Sequence, residues 1–117
     1  MRVFSISVLA TCLMVGAAEA RNLDGALTYL TRDALPAGVD IVIEARGLQD
    51  TPLAETRFQS GGQQVPIPFS MTLPDGVSAT IRAAVVLDGQ PLWVSDAIVV
   101  AAGSAPVALG DVVMNRY

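Results

Sequence analysis

Side chains that commonly carry chemistry are scarce in this sequence. The 117 residues include no histidine and a single cysteine, Cys12. Histidine is the usual general acid or base, and histidine and cysteine are the usual ligands of zinc and most transition metals. The composition therefore predicts no catalytic residue of these types, no metal site and no cofactor site.

Carboxylates remain as candidates for acid–base chemistry. Asp40 and Glu44 would share one face of a strand, but four residues of strand span about 13 Å. That separation is too large for the paired carboxylates of glycoside hydrolysis. Asp96 lies among apolar neighbours and is either a buried carboxyl or a structural residue, meaning a partner for an arginine or a residue at a strand end. We favour the second interpretation, and we predict that the protein is not an enzyme.

The other charges predict a solvated surface. All seven basic residues are arginines, and eleven acidic residues give a formal net charge of −4. Glu44 with Arg46, and Glu55 with Arg57, share strand faces, a pattern that favours cross-strand ion pairs over a binding site. Because nucleic-acid binding depends on neutralising phosphates, an acidic chain without a basic run predicts no nucleic-acid partner.

The first twenty residues have the pattern of a secretory signal peptide. Arg2 precedes an apolar run over residues 3–17, and Ala18-Glu19-Ala20 ends in the small residues of a cleavage site. We predict a signal peptide over 1–20 and one periplasmic domain over 21–117. The alternatives are an uncleaved membrane segment and an outer-membrane lipoprotein lipidated at Cys12, where threonine replaces the Gly, Ala or Ser expected before the cysteine.

The domain itself shows the two-residue period of β-strands. Gly, Pro and Asp turns separate the alternating segments, and no segment has a convincing helical period. The last part of 77–87 is apolar on both faces, which predicts a central strand, and Asp88-Gly89 predicts a hairpin turn. We predict an all-β fold, an antiparallel β-sandwich of about seven short strands, with a small barrel or an α+β fold as alternatives. The predicted strands are 23–32, 39–48, 53–60, 61–73, 77–87, 90–100 and 109–114.

The stretch 61–73 is the most distinctive of these strands. Its apolar residues occupy every second position from Val65 to Leu73, which predicts one buried face. Pro66 and Pro68 have the same parity, so both missing N–H groups would lie on one edge. We therefore predict an edge strand with one edge that cannot pair.

Residues 61–69, GGQQVPIPF, resemble a segment of the YbaY family, which is grouped with YscW-type lipoproteins of type III secretion. GALTYLTR (25–32) followed by Ala34-Leu35-Pro36 resembles the opening strand and loop of that family, and 77–93 resembles its later strands. The resemblance implies a small β-sandwich of the bacterial cell envelope without catalytic residues. It also implies a pilotin-like role, since YscW-type members bind a C-terminal secretin segment.

The sequence therefore predicts a non-catalytic binding or chaperone-like module of the cell envelope. Its expected partner is an envelope protein, with a secretin segment as the example that the resemblance supplies. The alternative is a periplasmic module for a small ligand or glycan, which would use exposed Tyr29, Trp93 and Tyr117. Membrane contact is expected only through a lipid on Cys12 or an uncleaved leader.

Overall fold

A computed structural model describes residues 20–117, which form eight β-strands and one short 3-10 turn, Leu48–Asp50. Of the predicted signal peptide, only Ala20 falls in this range, and Cys12 lies outside the described residues. The strands are β1 (Ala20–Thr28), β2 (Asp40–Arg46), β3 (Pro52–Gln59), β4 (Ile67–Pro74), β5 (Ala79–Leu87), β6 (Gln90–Ser95), β7 (Ile98–Val100) and β8 (Val107–Arg116).

These strands form a single mixed sheet with the order β3-β2-β5-β6-β8-β1-β4, and β7 pairs with β5. Neighbouring strands are antiparallel except β1 and β8, which run parallel. The sheet curls until its terminal strands, β3 and β4, contact each other, so it resembles a nearly closed barrel. The all-β prediction is confirmed. The antiparallel sandwich is wrong, because one continuous sheet with a parallel pair replaces two stacked antiparallel sheets.

The core fills the inside of this curled sheet with the alternating apolar residues of its strands. In β2, Ile41, Ile43 and Ala45 are buried, as the period predicted. In β5, Ala79 to Val85 alternate in the same way, and the strand has partners on both edges, which confirms that it is central. Each fully buried Leu or Ile contributes about 1.5–3 kcal/mol by leaving water. The largest fully buried side chains are Leu23, Leu27, Ile41, Ile43, Ile67, Leu73, Ile81, Met114, Val39 and Val85.

Strand β4 is the edge strand that the sequence predicted. Its burial alternates strictly from Ile67 to Pro74, and β1 is its only ladder partner among residues 20–117. Pro68 lies within the strand, whereas Pro66 precedes it. A proline has no N–H to donate to a ladder. The edge of β4 that faces β3 stays unpaired in the described chain, and the barrel has a seam there, although the two strands are consecutive in sequence.

The predicted strand 90–100 is two strands. β6 pairs with β5 at Val94 opposite Ala84, and β7 pairs with β5 again at Ile98 opposite Ile81. Between them the Ser95 hydroxyl accepts a hydrogen bond from the Ala83 N–H at 2.9 Å, replacing the missing ladder bond. This break explains why the apolar residues of 90–100 follow no single phase.

Candidate functional site

The strand directions divide the loops between two ends of the barrel. The amino-terminal end contains Ala20 and the loops 47–51, 75–78 and 101–106. The opposite, carboxy-terminal end contains the loops 29–39, 60–66 and 88–89 together with Tyr117. The amino-terminal end is the candidate site, because the uncharged run 97–110 passes through it.

The amino-terminal end exposes apolar side chains around a segment without charge. Leu48 is 82% exposed, Val99 is 77% exposed and Val77 is 37% exposed. Residues 97–110 contain no charged side chain, and Asp96 and Asp111 flank them. Ala101, Ala102, Ala105 and Pro106 within this run are also exposed. Apolar groups gathered on one surface are typical of a protein or membrane contact rather than of a solvated loop.

Two grooves open on this end and share Ala102. One has a volume of about 440 Å³ and lies between the loops 47–51 and 75–78, with Leu53 and Val77 in its walls. The other has a volume of about 640 Å³ and follows residues 99–109, with Arg21 in its wall. Together they form an open, mostly apolar surface that suits an extended or helical peptide segment.

Arg21 joins the loops beneath these grooves. It lies in β1 at the same parity as Leu23, and its side chain is only 5% exposed. Its Nη2 donates to the carbonyl oxygens of Val77 at 2.9 Å and Ala101 at 2.8 Å. The Gly76 N–H donates to the Gly103 carbonyl at 2.9 Å, so the loops 75–78 and 101–106 are held together.

The turn that carries Leu48 is fixed by its own hydrogen bonds. The Gly47 N–H donates to the Thr51 carbonyl at 2.7 Å, and the Thr51 hydroxyl donates to the Leu48 carbonyl at 2.8 Å. Arg46 Nη1 donates to the Asp50 carbonyl at 3.0 Å. An ordered turn therefore holds the apolar side chain of Leu48 in solvent. A turn with no binding role would normally carry a polar residue at such a position, because an exposed leucine costs solvation free energy.

The carboxylates singled out in the sequence do not form a site. Glu44 pairs with Arg46 at 3.1 Å and Glu55 with Arg57 at 3.6 Å, each along its own strand, while Arg57 also reaches Asp40 across strands at 3.9 Å. These side chains are at least about one-third exposed, so the pairs are worth little. The prediction of cross-strand ion pairs therefore holds only for Arg57, through its contact with Asp40. Asp96 is exposed between β6 and β7, which confirms the strand-end interpretation.

Two of the three aromatic residues that the glycan alternative needs at the surface are buried. Trp93 and Tyr29 are each 5% exposed, and their rings stack with centroids 4.1 Å apart. The Arg116 guanidinium covers Trp93 at 5.4 Å. The Tyr29 hydroxyl donates to the Asp33 carbonyl, and burial together with the Asp33 charge raises the pKa of Tyr29. Tyr117 is 79% exposed. A sugar therefore has no Trp93 face to stack on.

Within residues 20–117, no group of three or more Cys, Asp or Glu side chains is placed to hold a metal ion. No helix in the same range is long and apolar enough to cross a membrane.

Sequence reasoning missed the amino-terminal end because it predicted a strand up to Leu48, a turn over 49–52 and a loose segment over 101–106. One signal was available. The fourteen uncharged residues 97–110 contain only one polar side chain, Ser104. A surface loop normally contains charged or polar residues, so such a run in a loop indicates a contact surface.

Comparison with known proteins places the chain in a family. The family model of the type III secretion system lipoprotein chaperone (YscW) matches residues 18–108, so the chain belongs to the YscW family. A solved structure, that of an alternative pilotin from the type II secretion system of Vibrio cholerae, has the same fold. The two chains are 18% identical with a TM-score of 0.66, over 84% of this chain and 99% of the pilotin. No curated protein matches the chain.

Proposed function

We propose that this protein is a non-catalytic, pilotin-like chaperone of the bacterial cell envelope whose amino-terminal end binds a C-terminal segment of a secretin. The observation that carries the proposal is the group of exposed apolar side chains Leu48, Val77 and Val99 beside the uncharged run 97–110. Membership of the YscW family and the fold shared with a pilotin support the choice of partner.

The chemistry of the surface supports an apolar peptide as the ligand. Each Leu, Ile or Val side chain that a partner buries in the grooves contributes about 1.5–3 kcal/mol, before the cost of ordering the segment. Several such anchors are needed to offset that cost, and the two grooves, which share Ala102, offer separate places for them. A chaperone that shields an apolar segment from water during export needs this kind of surface.

Capture of the secretin from cells tests the proposal. The full chain with a tag after Tyr117 is produced in its own host, the envelope is solubilised in mild detergent, and captured proteins are identified by mass spectrometry. We expect the secretin in the captured fraction. A host whose secretin lacks its C-terminal segment should give no capture.

Charge substitutions with a matched control locate the contact. Leu48→Asp and Val99→Asp each place a carboxylate in the apolar surface and should reduce secretin recovery more than tenfold, because a buried unpaired charge is costly. Leu30→Asp is the control, since Leu30 is 85% exposed at the opposite end. Equal recovery by all three variants, or failure to capture the secretin with the unaltered chain, would refute the proposal.

For the leader we propose cleavage after Ala20 and residence in the periplasm, with the domain spanning 21–117. A lipid on Cys12 and attachment to the outer membrane is the alternative that the family description favours. Labelling with a radioactive fatty acid separates them, because only a lipidated Cys12 takes up label and Cys12→Ser abolishes it. Amino-terminal sequencing of the mature protein should begin at Arg21. Within the YscW family we group the chain with YbaY-like members on the 61–69 segment.

A further inference from the structure

Arg21 is a buried cation without a carboxylate partner. Its side chain is 5% exposed, and no Asp or Glu among residues 20–117 lies within the 4.0 Å ion-pair distance of it. Asp75, in the neighbouring loop, has an enclosed oxygen without a partner but does not reach the guanidinium. A buried charge that only carbonyl oxygens neutralise is expensive for the fold.

The unused donors of Arg21 are Nε and Nη1. Both bonds to carbonyl oxygens come from Nη2, and Nε is enclosed without a partner. Nη1 donates no hydrogen bond within the described chain and is not among the enclosed unpaired atoms. A Cβ added to Gly103 would lie 3.4 Å from Nη1, so the missing side chain of Gly103 leaves this atom facing the larger groove.

The groove around Nη1 accepts main chain better than bulky side chains. Gly103, Ser104, Ala105 and Ala102 are small, and they let a peptide backbone approach closely. The Ser104 hydroxyl in the same wall is a second donor. A guanidinium pairs most strongly with a carboxylate, through short charge-assisted hydrogen bonds. A terminal carboxylate combines that charge with the slender main chain that the groove admits.

We propose that Arg21 binds the C-terminal carboxylate of the apolar segment held in the larger groove, through Nη1 and over Gly103. The inference rests on the proposed function for the identity of the natural segment, but the chemistry is independent of it. Arg21 then has two roles. Its Nη2 holds the loops 75–78 and 101–106 together, and its Nη1 binds the terminal carboxylate of the ligand.

A pair of synthetic peptides tests the carboxylate directly. The full chain is titrated with acetyl-Ala-Leu-Ala-Val as the free acid and as the C-terminal amide, with NMR of the Arg21 side-chain N–H groups and the Gly103 amide as the readout. We expect the acid to bind at least tenfold more tightly and to shift both residues. Equal affinity of acid and amide, or no binding of either, would overturn the inference.

The blocking variant is Gly103→Leu, because Arg21 itself cannot be removed without loosening two loops. The φ angle of Gly103 is not in the left-handed region and its Cβ position is in ordinary contact, so the substitution should fold. It should cover Nη1 and abolish the preference for the acid, and Gly103→Ala should reduce it in part. Ala37→Leu adds the same side chain to an exposed position at the opposite end and should change nothing.

The peptides and the capture experiment fail in different ways. If the secretin is captured but its C-terminal peptide binds equally as acid and amide, the carboxylate site is wrong and the proposed function stands. If no secretin is captured while the synthetic acid still binds selectively over Gly103, the proposed function is wrong and the carboxylate site stands.

Discussion

Tyr29 shows how one side chain joins the core to the carboxy-terminal end. Its ring stacks on Trp93 inside the barrel, while its hydroxyl reaches the backbone of Asp33 in the loop 29–39. Burial first, and then the nearby Asp33 carboxylate, raise the pKa of Tyr29. The folded state therefore holds the phenolic proton more tightly than the unfolded chain does.

Stability should fall in alkali because of this group. A raised pKa in the folded state gives stabilisation that is complete below the unfolded value of about 10 and is lost as the pH rises through the folded value. Urea unfolding between pH 8 and 12 should show that fall. Tyr29→Phe should flatten it and cost about 0.5–1.5 kcal/mol at neutral pH through the lost hydrogen bond. Tyr117→Phe, at an exposed position, should behave like the parent.

Phe69 makes a second residue-scale prediction. It is 6% exposed and lies opposite Gly25 in the β1–β4 pair, where its Cε1 atom lies 3.2 Å from the position a Gly25 Cβ would take. Phe69→Ala should destabilise the fold by about 3–5 kcal/mol in urea unfolding. Phe58→Ala, at a half-buried position across the seam, should cost clearly less. A loss below about 1 kcal/mol for Phe69 would contradict its place in the core.

Residue periodicity predicted which side chains point inward, but not what covers them. Val39, Ile41, Ile43 and Ala45 were placed correctly, because a strand with one buried face needs only its alternation to be read. The glycan alternative required Tyr29 and Trp93 at the surface, and both are buried. Their burial depends on stacking between β6 and the end of β1, which are far apart in sequence, and no local pattern records that contact.

At the scale of elements, the two segments that carry the family resemblance contact each other. The side-chain amide of Gln64, in the loop 60–66, accepts from the Leu35 N–H at 2.7 Å and donates to the Leu35 carbonyl at 3.2 Å. Gln64 thereby pairs with Leu35 as a neighbouring strand would, and Leu35 is buried at the barrel end. The segments 34–36 and 64–66 are thus joined by two hydrogen bonds, and we call this contact between the two loops the clamp.

Breaking that clamp should loosen the carboxy-terminal end. Gln64→Ala leaves the Leu35 N–H and carbonyl without partners and should cost about 1–3 kcal/mol. Gln63→Ala, at an exposed neighbouring position, is the matched control and should cost less than about 0.5 kcal/mol. Thermal unfolding of the two variants side by side gives the comparison. Equal midpoints would mean that the clamp does not stabilise the loop.

The ends of strands were predicted well where a turn residue must adopt a backbone conformation with positive φ. Asp88 and Gly89 have φ values of 51° and 80°, which the hairpin turn needs, and β5 and β6 end on either side of them. The break at Ser95 was missed, because the pattern of apolar residues does not show where a side-chain hydroxyl replaces a backbone hydrogen bond. The candidate site was missed for a similar reason, since loops were read for their turn residues and not for their lack of charge.

For the whole molecule, the seam between β3 and β4 sets where the barrel opens. β5 has ladder partners along both edges, while β3 and β4 each have one ladder partner among residues 20–117. Amide hydrogen exchange should therefore be slowest in β5 and β2 and fastest along the β3 and β4 edges at the seam. Protection at Thr56 and Ser70 equal to that at Ala83 would indicate that the seam is closed in solution.

The sandwich was predicted instead of a barrel because sequence gives strands and faces, but not the partner of each strand. The parallel pairing of β1 with β8 joins residues 20–28 to 107–116, and it is this contact that converts a row of hairpins into one curled sheet. Hairpin signals such as Asp88-Gly89 favour antiparallel neighbours, so they bias any prediction toward an all-antiparallel fold. No local signal marks a parallel pair.

The β1–β8 pair also sets when the candidate site can form during folding. β1 is an early strand to emerge during synthesis, and its parallel partner is the final strand. Until residues 107–116 emerge, one edge of β1 is unpaired. The loop 101–106 is then anchored only at its amino-terminal side, so Arg21 cannot hold it in place. The site at the amino-terminal end therefore cannot form before residues 107–116 are available to pair with β1. A contact between segments so far apart in sequence also slows folding, so we expect the complete site to form slowly.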